Sequence, residues 1–151
     1  MKTLVLIRHA YALSALDAGV ATDELRPLSD AGRQKAALTA ARLSRLNLQP
    51  DLILTSPLLR AVQTAQTVAA TWQLPVEQVT ELNGLLPETE LADFLHKRLA
   101  HADTLVVVGH NPNMACLYPL LCREMRGFAP GSFAVLQGDG NGPWKTITFG
   151  E

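Results

Sequence analysis

Short apolar runs typical of buried β-strands alternate along this chain with segments of helical periodicity. The strand-like runs cover residues 3–7, 51–55, 76–80, 104–109, 133–137 and 145–149. Because parallel strands need long crossover connections, usually helices, the alternation predicts a mostly parallel sheet covered on both faces. Glycine and proline within residues 138–143 predict a terminal hairpin turn and an antiparallel edge. The expected fold class is α/β, a three-layer α/β/α sandwich.

Four segments carry the helical pattern. The first follows Ser29, which can cap it, and extends to about residue 46. The second is expected to begin at Ser56, with the serine as the cap and Pro57 at the first helical position. The remaining helical segments are residues 87–102 and 112–122. The stretch between residues 10 and 28 is the one long loop, and long loops in compact domains are often functional.

Composition restricts the class of protein. The 151 residues, 48% hydrophobic and 18% charged, predict a single globular domain over residues 1–151. A net charge of −1 gives no indication of nucleic acid or membrane partners. No apolar run approaches the roughly 20 residues of a membrane span.

The two cysteines indicate a compartment. Cys116 and Cys122 are six residues apart in one predicted helix, a spacing that puts their Cα atoms beyond disulfide reach. We therefore expect free thiols packed in the core, and a reducing compartment, the cytoplasm.

Polar side chains follow three of the predicted strands at the point where each one ends. Arg8 and His9 follow the first, Ser56 follows the second, and His110 follows the fourth, with Asn111 next to it. Ligands of open α/β sheets bind just beyond the carboxyl ends of the strands. These side chains are therefore expected to meet on one side of the sheet.

The chemistry of this group favours an anion. Arg60 lies four residues after Ser56, on the same helical face and away from the apolar stripe. With Arg8 it supplies two guanidinium groups, which suit bidentate contacts with phosphate oxygens. Two predicted helices also begin here, and their free N–H groups favour negative charge. The sequence predicts a phosphate pocket.

Other arrangements of the histidines are less favoured. A metal held by His9 and His110 would meet repulsion from two arginines and lacks a third ligand of suitable spacing. We therefore predict no metal site. His96 and His101 lie on or at the end of a predicted surface helix and receive no functional role.

These residues resemble the motifs of the histidine phosphatase superfamily. The motifs are Arg-His-Ala at residues 8–10, RPLSDAG at 26–32, SPLLRAVQTA at 56–65 and GHNP at 109–112. The resemblance covers nearly the whole chain and implies the phosphoglycerate mutase-like fold. The short length is similar to that of the SixA-type phosphohistidine phosphatases and unlike that of the mutases or phytases.

The resemblance implies a role for each position. His9 would attack phosphorus and become transiently phosphorylated, while its other ring nitrogen would be held by an acceptor such as a backbone carbonyl. Arg8, Arg60 and His110 would hold the phosphoryl oxygens and stabilise charge during transfer. The substrate contacts are expected from Arg8, Ser56, Arg60, His110 and Asn111. No metal or organic cofactor is implied.

Two departures from the family pattern bear on the substrate. Tyr11 stands where many members carry a carboxylate soon after the Arg-His motif. Glu81 and Glu88 are available after the third strand, but neither clearly matches the general acid of the phosphoester-cleaving members. The pattern favours a leaving group that departs easily, such as a phosphohistidine of a phosphotransfer domain or carrier protein. The alternatives are a small-molecule phosphomonoesterase and a non-catalytic phosphoprotein-binding module.

Overall fold

A computed structural model describes residues 1–140 and 142–151 of the chain. Six strands form one sheet: β1 Lys2–Arg8, β2 Leu52–Thr55, β3 Glu77–Gln78, β4 Thr104–Gly109, β5 Phe133–Gly138 and β6 Lys145–Gly150. The α-helices are α1 Ala15–Ala18, α2 Asp30–Ser44, α3 Leu59–Ala69, α4 Glu88–Leu99 and α5 Asn113–Cys122. Two 3-10 turns, Asp23–Leu25 and Thr80–Leu82, complete the elements.

The sheet has the strand order β3-β2-β4-β1-β5-β6. The first four strands in that order are parallel, while β5 and β6 pair antiparallel to form the edge beyond β1. The mostly parallel sheet with an antiparallel edge is confirmed. Position 141 of the predicted hairpin turn lies outside the described residues.

Alternate side chains of β1 point to opposite helical layers, as the two-residue period of a strand requires. Leu4 and Leu6 pack in a cluster with α4 and α5, whereas Val5 and Ile7 pack in a second cluster with α2 and α3. All four side chains are fully buried, which explains why β1 is an uninterrupted apolar run. The sheet is therefore the middle of three layers, and the predicted fold class is confirmed.

Several local predictions need correction. The helix expected from Ser56 begins only at Leu59, because Leu58 is extended and Ser56 Oγ accepts from the Leu58 N–H at 3.2 Å ahead of the helix. Strand β3 has two residues where five were expected, at residues 76–80. The loop at residues 10–28 contains α1, one of the 3-10 turns and an isolated bridge between Ala12 and Leu28.

The cysteines are free thiols, but only Cys122 packs against the core. Cys116 is exposed and Cys122 is half-buried. The buried positions of α5 are taken by larger apolar side chains, including those of Met114, Leu117 and Leu121. Since the helix has only one face toward the sheet, Cys116 lies on the exposed face and Cys122 lies at the margin of the core cluster.

Candidate active site

Two neighbouring parallel strands end side by side and supply two histidines. Arg8, the last residue of β1, is in register with Gly109, the last residue of β4. The next residues, His9 and His110, bring their ring centroids to 5.0 Å with the planes 60° apart. The His9 N–H donates to the Gly109 carbonyl at 3.0 Å, so the backbone fixes where the two rings meet.

The third strand end adjoins this pair. Strand β2 lies on the other side of β4, with Thr55 in register with Val108. The Ser56 N–H donates to the Val108 carbonyl at 3.0 Å, which continues the pairing one residue beyond the strand. The expectation that these three strand ends share one edge of the sheet is confirmed.

The backbone also fixes the orientation of the His9 ring. Its Nδ1 lies 2.7 Å from the carbonyl oxygen of Ala10. A carbonyl can only accept, so the neutral ring carries its proton on Nδ1 and keeps a lone pair on Nε2. The acceptor expected from the sequence is the carbonyl of the very next residue.

Adjacent residues of α3 hold both ends of the long loop. Thr64 Oγ1 accepts from the Ala10 N–H at 3.1 Å, and Gln63 Oε1 accepts from the Leu28 N–H at 2.8 Å. The Gln-Thr pair in the 56–65 motif therefore ties residues 10–28 to the helix that carries Arg60.

Arg8 and Asn111 share one backbone acceptor. Arg8 Nη1 and Asn111 Nδ2 donate to the Phe128 carbonyl at 2.8 and 2.9 Å. Arg8 Nε and Asn111 Oδ1 are buried without a hydrogen-bond partner among the described residues. The Arg8 guanidinium as a whole is only half-buried, so its charge remains close to the surface beside His9.

Arg60 is the second residue of α3 and is only 8% exposed. Its Nη1 donates to the main-chain oxygen of Asp23 at 2.9 Å, and its Nη2 to Asp23 Oδ2 at 3.0 Å. Asp23 Oδ1 accepts from Arg26 Nη1 at 2.9 Å, so one carboxylate bridges two arginines. The turn at residues 23–25 covers the guanidinium, which explains why an arginine off the apolar stripe is nevertheless buried.

Asp23 is the site carboxylate that the sequence analysis missed. It lies within the long loop, 37 residues before Arg60, and nothing in the local pattern pairs the two. A signal was available in the charges of that loop, since Asp23, Glu24 and Arg26 cluster at its end.

Ser56 occupies a position different from that expected of a phosphate ligand. It is fully buried, and its Oγ lies 2.7 Å from His110 Nε2. The hydroxyl therefore contacts the histidine from within the protein, and the structure does not present it to a ligand.

Burial and nearby cations keep both histidines neutral. Desolvation by burial, the largest cause, and the positive charges of Arg60, Arg8 and Arg26 together lower the pKa of His9 to about 4, although the hydrogen bond to the Ala10 carbonyl opposes them. Desolvation by burial likewise lowers the pKa of His110 to about 3, with His9 and Arg60 acting in the same direction. At neutral pH the site holds two uncharged imidazoles among arginines.

The carboxylates near the site differ in their surroundings. Hydrogen bonds from Arg26 and Arg60 lower the pKa of Asp23, which keeps it ionised. Glu81 Oε1 accepts from Thr80 Oγ1 at 3.4 Å, and Glu88 is exposed at the start of α4. Neither glutamate is hydrogen-bonded to a described residue of the site.

The other histidines lie outside this group. The His96 ring stacks on Trp144, and His96 Nε2 accepts from Trp144 Nε1 at 3.3 Å. These two side chains border a cavity of about 510 Å³ formed by α4, α5 and the start of β6. His101 is exposed.

Within residues 1–140 and 142–151, no cluster of three or more His, Cys, Asp or Glu side chains could hold a metal ion. No helix in the same ranges is long and apolar enough to cross a membrane.

Comparison with known sequences identifies a family. The family model described as histidine phosphatase superfamily, branch 1, matches residues 4–85. An uncharacterized protein of Picosynechococcus sp. is 41% identical over 115 residues, which are 74% of this chain and 67% of that protein. The mitochondrial serine/threonine-protein phosphatase Pgam5 of Drosophila persimilis is 35% identical over 65 residues, 43% of this chain and only 21% of that protein.

Comparison with solved structures gives matches over almost the whole chain. The protein histidine phosphatase SixA complexed with tungstate has a TM-score of 0.87 and 25% identity, covering 98% of this chain and 96% of that one. A SixA protein from Agrobacterium tumefaciens has a TM-score of 0.85 and 26% identity, and the match again covers 98% of this chain and 96% of that one. A mycobacterial glucosyl-3-phosphoglycerate phosphatase, with a TM-score of 0.76, 19% identity and 99% of each chain covered, shares the fold.

Proposed function

The chain belongs to the histidine phosphatase superfamily and is a phosphatase, and from this premise we propose that it removes phosphate from phosphohistidine in a protein. The observation that carries the proposal is the His9 ring. Its Nδ1 is committed to the Ala10 carbonyl, and its pKa of about 4 leaves Nε2 unprotonated at neutral pH. A neutral imidazole with a fixed lone pair is a nucleophile.

In the proposed reaction, His9 Nε2 forms a bond to phosphorus as the bond from phosphorus to the substrate imidazole breaks. Water then attacks the phosphorylated His9, which releases inorganic phosphate and restores the ring. Arg8, Arg60 and His110 stabilise the negative charge on the phosphoryl oxygens in both steps. Arg8 is suited to this role, because it directly precedes His9, is only half-buried and lies close enough for its charge to act on the His9 ring.

The leaving group favours phosphohistidine over an alkyl phosphoester. When the second nitrogen of the substrate ring carries a proton, the ring departs as neutral imidazole, whose conjugate acid has a pKa of about 6.5. An alkoxide needs a proton donor, since its parent acid resembles water at about 15.7. The carboxylate bonded to the site arginines is Asp23, whose lowered pKa makes it a poor donor at neutral pH.

The proposed partner is a phosphotransfer domain or a carrier protein that is phosphorylated on an exposed histidine. Support comes from two similar structures with SixA in their names, one a protein histidine phosphatase that binds tungstate, a tetrahedral oxyanion. We propose further that residues 1–151 act as one domain. The two free thiols support a reducing compartment, the cytoplasm.

The test is to follow phosphate through the enzyme. The wild type is incubated with a protein carrying labelled phosphohistidine, quenched during turnover, and digested to locate the label. We expect an acid-labile phosphate on His9, and no turnover in His9→Ala, whose side chain lies at a strand end. Label on His110, or undiminished activity in His9→Ala, would refute the assignment. Saturable binding without phosphate release would instead indicate a phosphoprotein-binding module.

A further inference from the structure

The fully buried hydroxyl of Ser56 contacts two groups among the described residues. Its Oγ lies 3.2 Å from the Leu58 nitrogen and 2.7 Å from His110 Nε2. Ser56 and His110 are 0% and 5% exposed. Buried polar groups need hydrogen-bond partners within the protein, so the donor and the acceptor of each bond can be assigned.

The backbone determines the direction of the first bond. The Leu58 N–H can only donate, so Ser56 Oγ accepts there. The serine hydrogen then needs an acceptor, and His110 Nε2 is the one that the described residues offer. In the reverse arrangement, with Nε2–H donating to Oγ, the buried serine hydrogen would have no acceptor, which costs about 1–3 kcal/mol.

The consequence for His110 concerns its opposite edge. A neutral imidazole that accepts at Nε2 carries its proton on Nδ1. The Cδ2 side of the ring faces Gly84, where an added Cβ would lie 3.6 Å from Cδ2. The Nδ1 atom is on the other side of the ring, and none of the described residues pairs with it. The ring can therefore donate its Nδ1 proton to a ligand.

We propose that Ser56 is a positioning residue that holds His110 in the Nδ1–H tautomer, so that His110 presents a hydrogen-bond donor to the phosphoryl group. The inference deepens the proposed function, on which its catalytic consequence rests. Without the serine hydroxyl, the ring can populate the other tautomer, whose Nδ1 lone pair would repel a phosphoryl oxygen. Ser56 thereby acts on the reaction through His110 and does not itself contact the substrate.

The tautomer can be measured without any substrate. The chain has four histidines, so ¹⁵N-labelled histidine gives few signals, and His110→Asn identifies those of His110. In long-range ¹H–¹⁵N spectra at neutral pH, we expect the unprotonated nitrogen of His110 to couple strongly to both ring C–H protons, which identifies it as Nε2. An unprotonated Nδ1 in the wild type would overturn the proposal, whatever the substrate proves to be.

Three variants test the catalytic consequence, with turnover of phosphoramidate as the assay. Ser56→Ala should lower kcat about tenfold, change KM little and mix the His110 tautomers. Ser56→Thr keeps the hydroxyl and should restore both the wild-type kcat and the single His110 tautomer. Ser132→Ala is the matched control, because it removes a fully buried serine hydroxyl that has no partner among the described residues. Unchanged kcat and an unchanged His110 spectrum in Ser56→Ala would overturn the proposal. Failure of the wild type to act on phosphohistidine while the tautomer is as expected would refute the function alone.

Discussion

At the scale of single residues, the site depends on which nitrogen of each imidazole carries a proton. The Ala10 carbonyl determines this at His9, and we propose that the Ser56 hydroxyl determines it at His110. Burial and three arginines keep the His9 ring neutral, so the proposed nucleophile needs no separate base. These contacts are side chain to backbone or between buried side chains, and they were only partly predictable from the sequence.

The charge of His9 gives a prediction about pH. Burial disfavours the imidazolium, so His9 should lose its proton with a midpoint of about 4 and stay neutral at all higher pH values. The measurement is an NMR titration of the His9 ring in the ligand-free protein, assigned with His9→Ala. A midpoint near 6.5, the ordinary value for histidine, would mean that the ring is solvated and the proposed nucleophile is not held neutral by its surroundings.

Arg60 gives a prediction about the phosphate contacts. In Arg60→Lys the charge remains, but a single ammonium cannot reproduce the planar guanidinium, which donates to the main-chain oxygen and to Oδ2 of Asp23. We expect kcat/KM to fall about a hundredfold, equivalent to about 2.7 kcal/mol.

Arg98→Lys is the control for Arg60→Lys. Arg98 also makes two hydrogen bonds to one acidic residue, Glu77, but at the exposed start of β3. Steady-state kinetics should separate the two variants. Equal kinetics for Arg60→Lys and the wild type would exclude Arg60 as a phosphate ligand.

At the scale of elements, the turn at residues 23–25 brings a carboxylate to the site arginines. The negative charge of Asp23 balances Arg60 and Arg26, and it also opposes an incoming phosphate. The long loop was expected to be functional, and it carries this turn. The pairing with Arg60 could not be predicted, because it joins residues far apart in the sequence.

Asp23→Asn tests the effect of this charge. The amide keeps the size of the side chain and one acceptor oxygen but removes the negative charge. We expect inorganic phosphate to inhibit the variant about fivefold more strongly, equivalent to about 1 kcal/mol, since the arginines lose a competing anion.

Asp17→Asn is the matched control for Asp23→Asn, because Asp17 is an exposed acid in α1 of the same loop. Inhibition constants for phosphate would be measured at low salt, where charge effects are largest. Weaker inhibition of Asp23→Asn than of the wild type would show that Asp23 mainly orients Arg60.

Helix boundaries show where local sequence signals suffice. Ser29 caps α2 as predicted, since its Oγ accepts from the Gly32 N–H at 3.0 Å. Ser56 looked equivalent, with proline after it, but α3 begins at Leu59. The difference is that Leu58 is extended, so Ser56 Oγ accepts from the Leu58 N–H ahead of the helix.

At the scale of the whole molecule, the parallel sheet and its antiparallel edge were predictable because hydrophobic burial dominates them, whereas the strand order was not predicted. The apolar residues of β1 and β4 are buried on both faces, and this pattern is visible in the sequence. Strand ends of a parallel sheet meet at one edge, so the meeting of His9 and His110 followed from the topology. Polar contacts across the site depend on ångström-scale geometry, which sequence periodicity does not specify.

The protonation states of the site bear on which substrates it favours. His9, the proposed nucleophile, is neutral, whereas the Asp23 carboxylate bonded to Arg60 and Arg26 stays ionised. Such a site should transfer phosphate from a group that leaves as neutral imidazole far better than from an alcohol. Neither Glu81 nor Glu88 is hydrogen-bonded to a described residue of the site, so replacing either with Gln should change phosphohistidine turnover little.

The most direct test compares kcat/KM for a protein phosphohistidine and for alkyl phosphoesters such as a sugar phosphate and phosphoglycerate. All substrates would be assayed with one preparation of wild-type enzyme, with His9→Ala as the blank. We predict that phosphohistidine is preferred at least about a hundredfold, equivalent to about 2.7 kcal/mol. An alkyl phosphoester cleaved as well as phosphohistidine, or better, would contradict it.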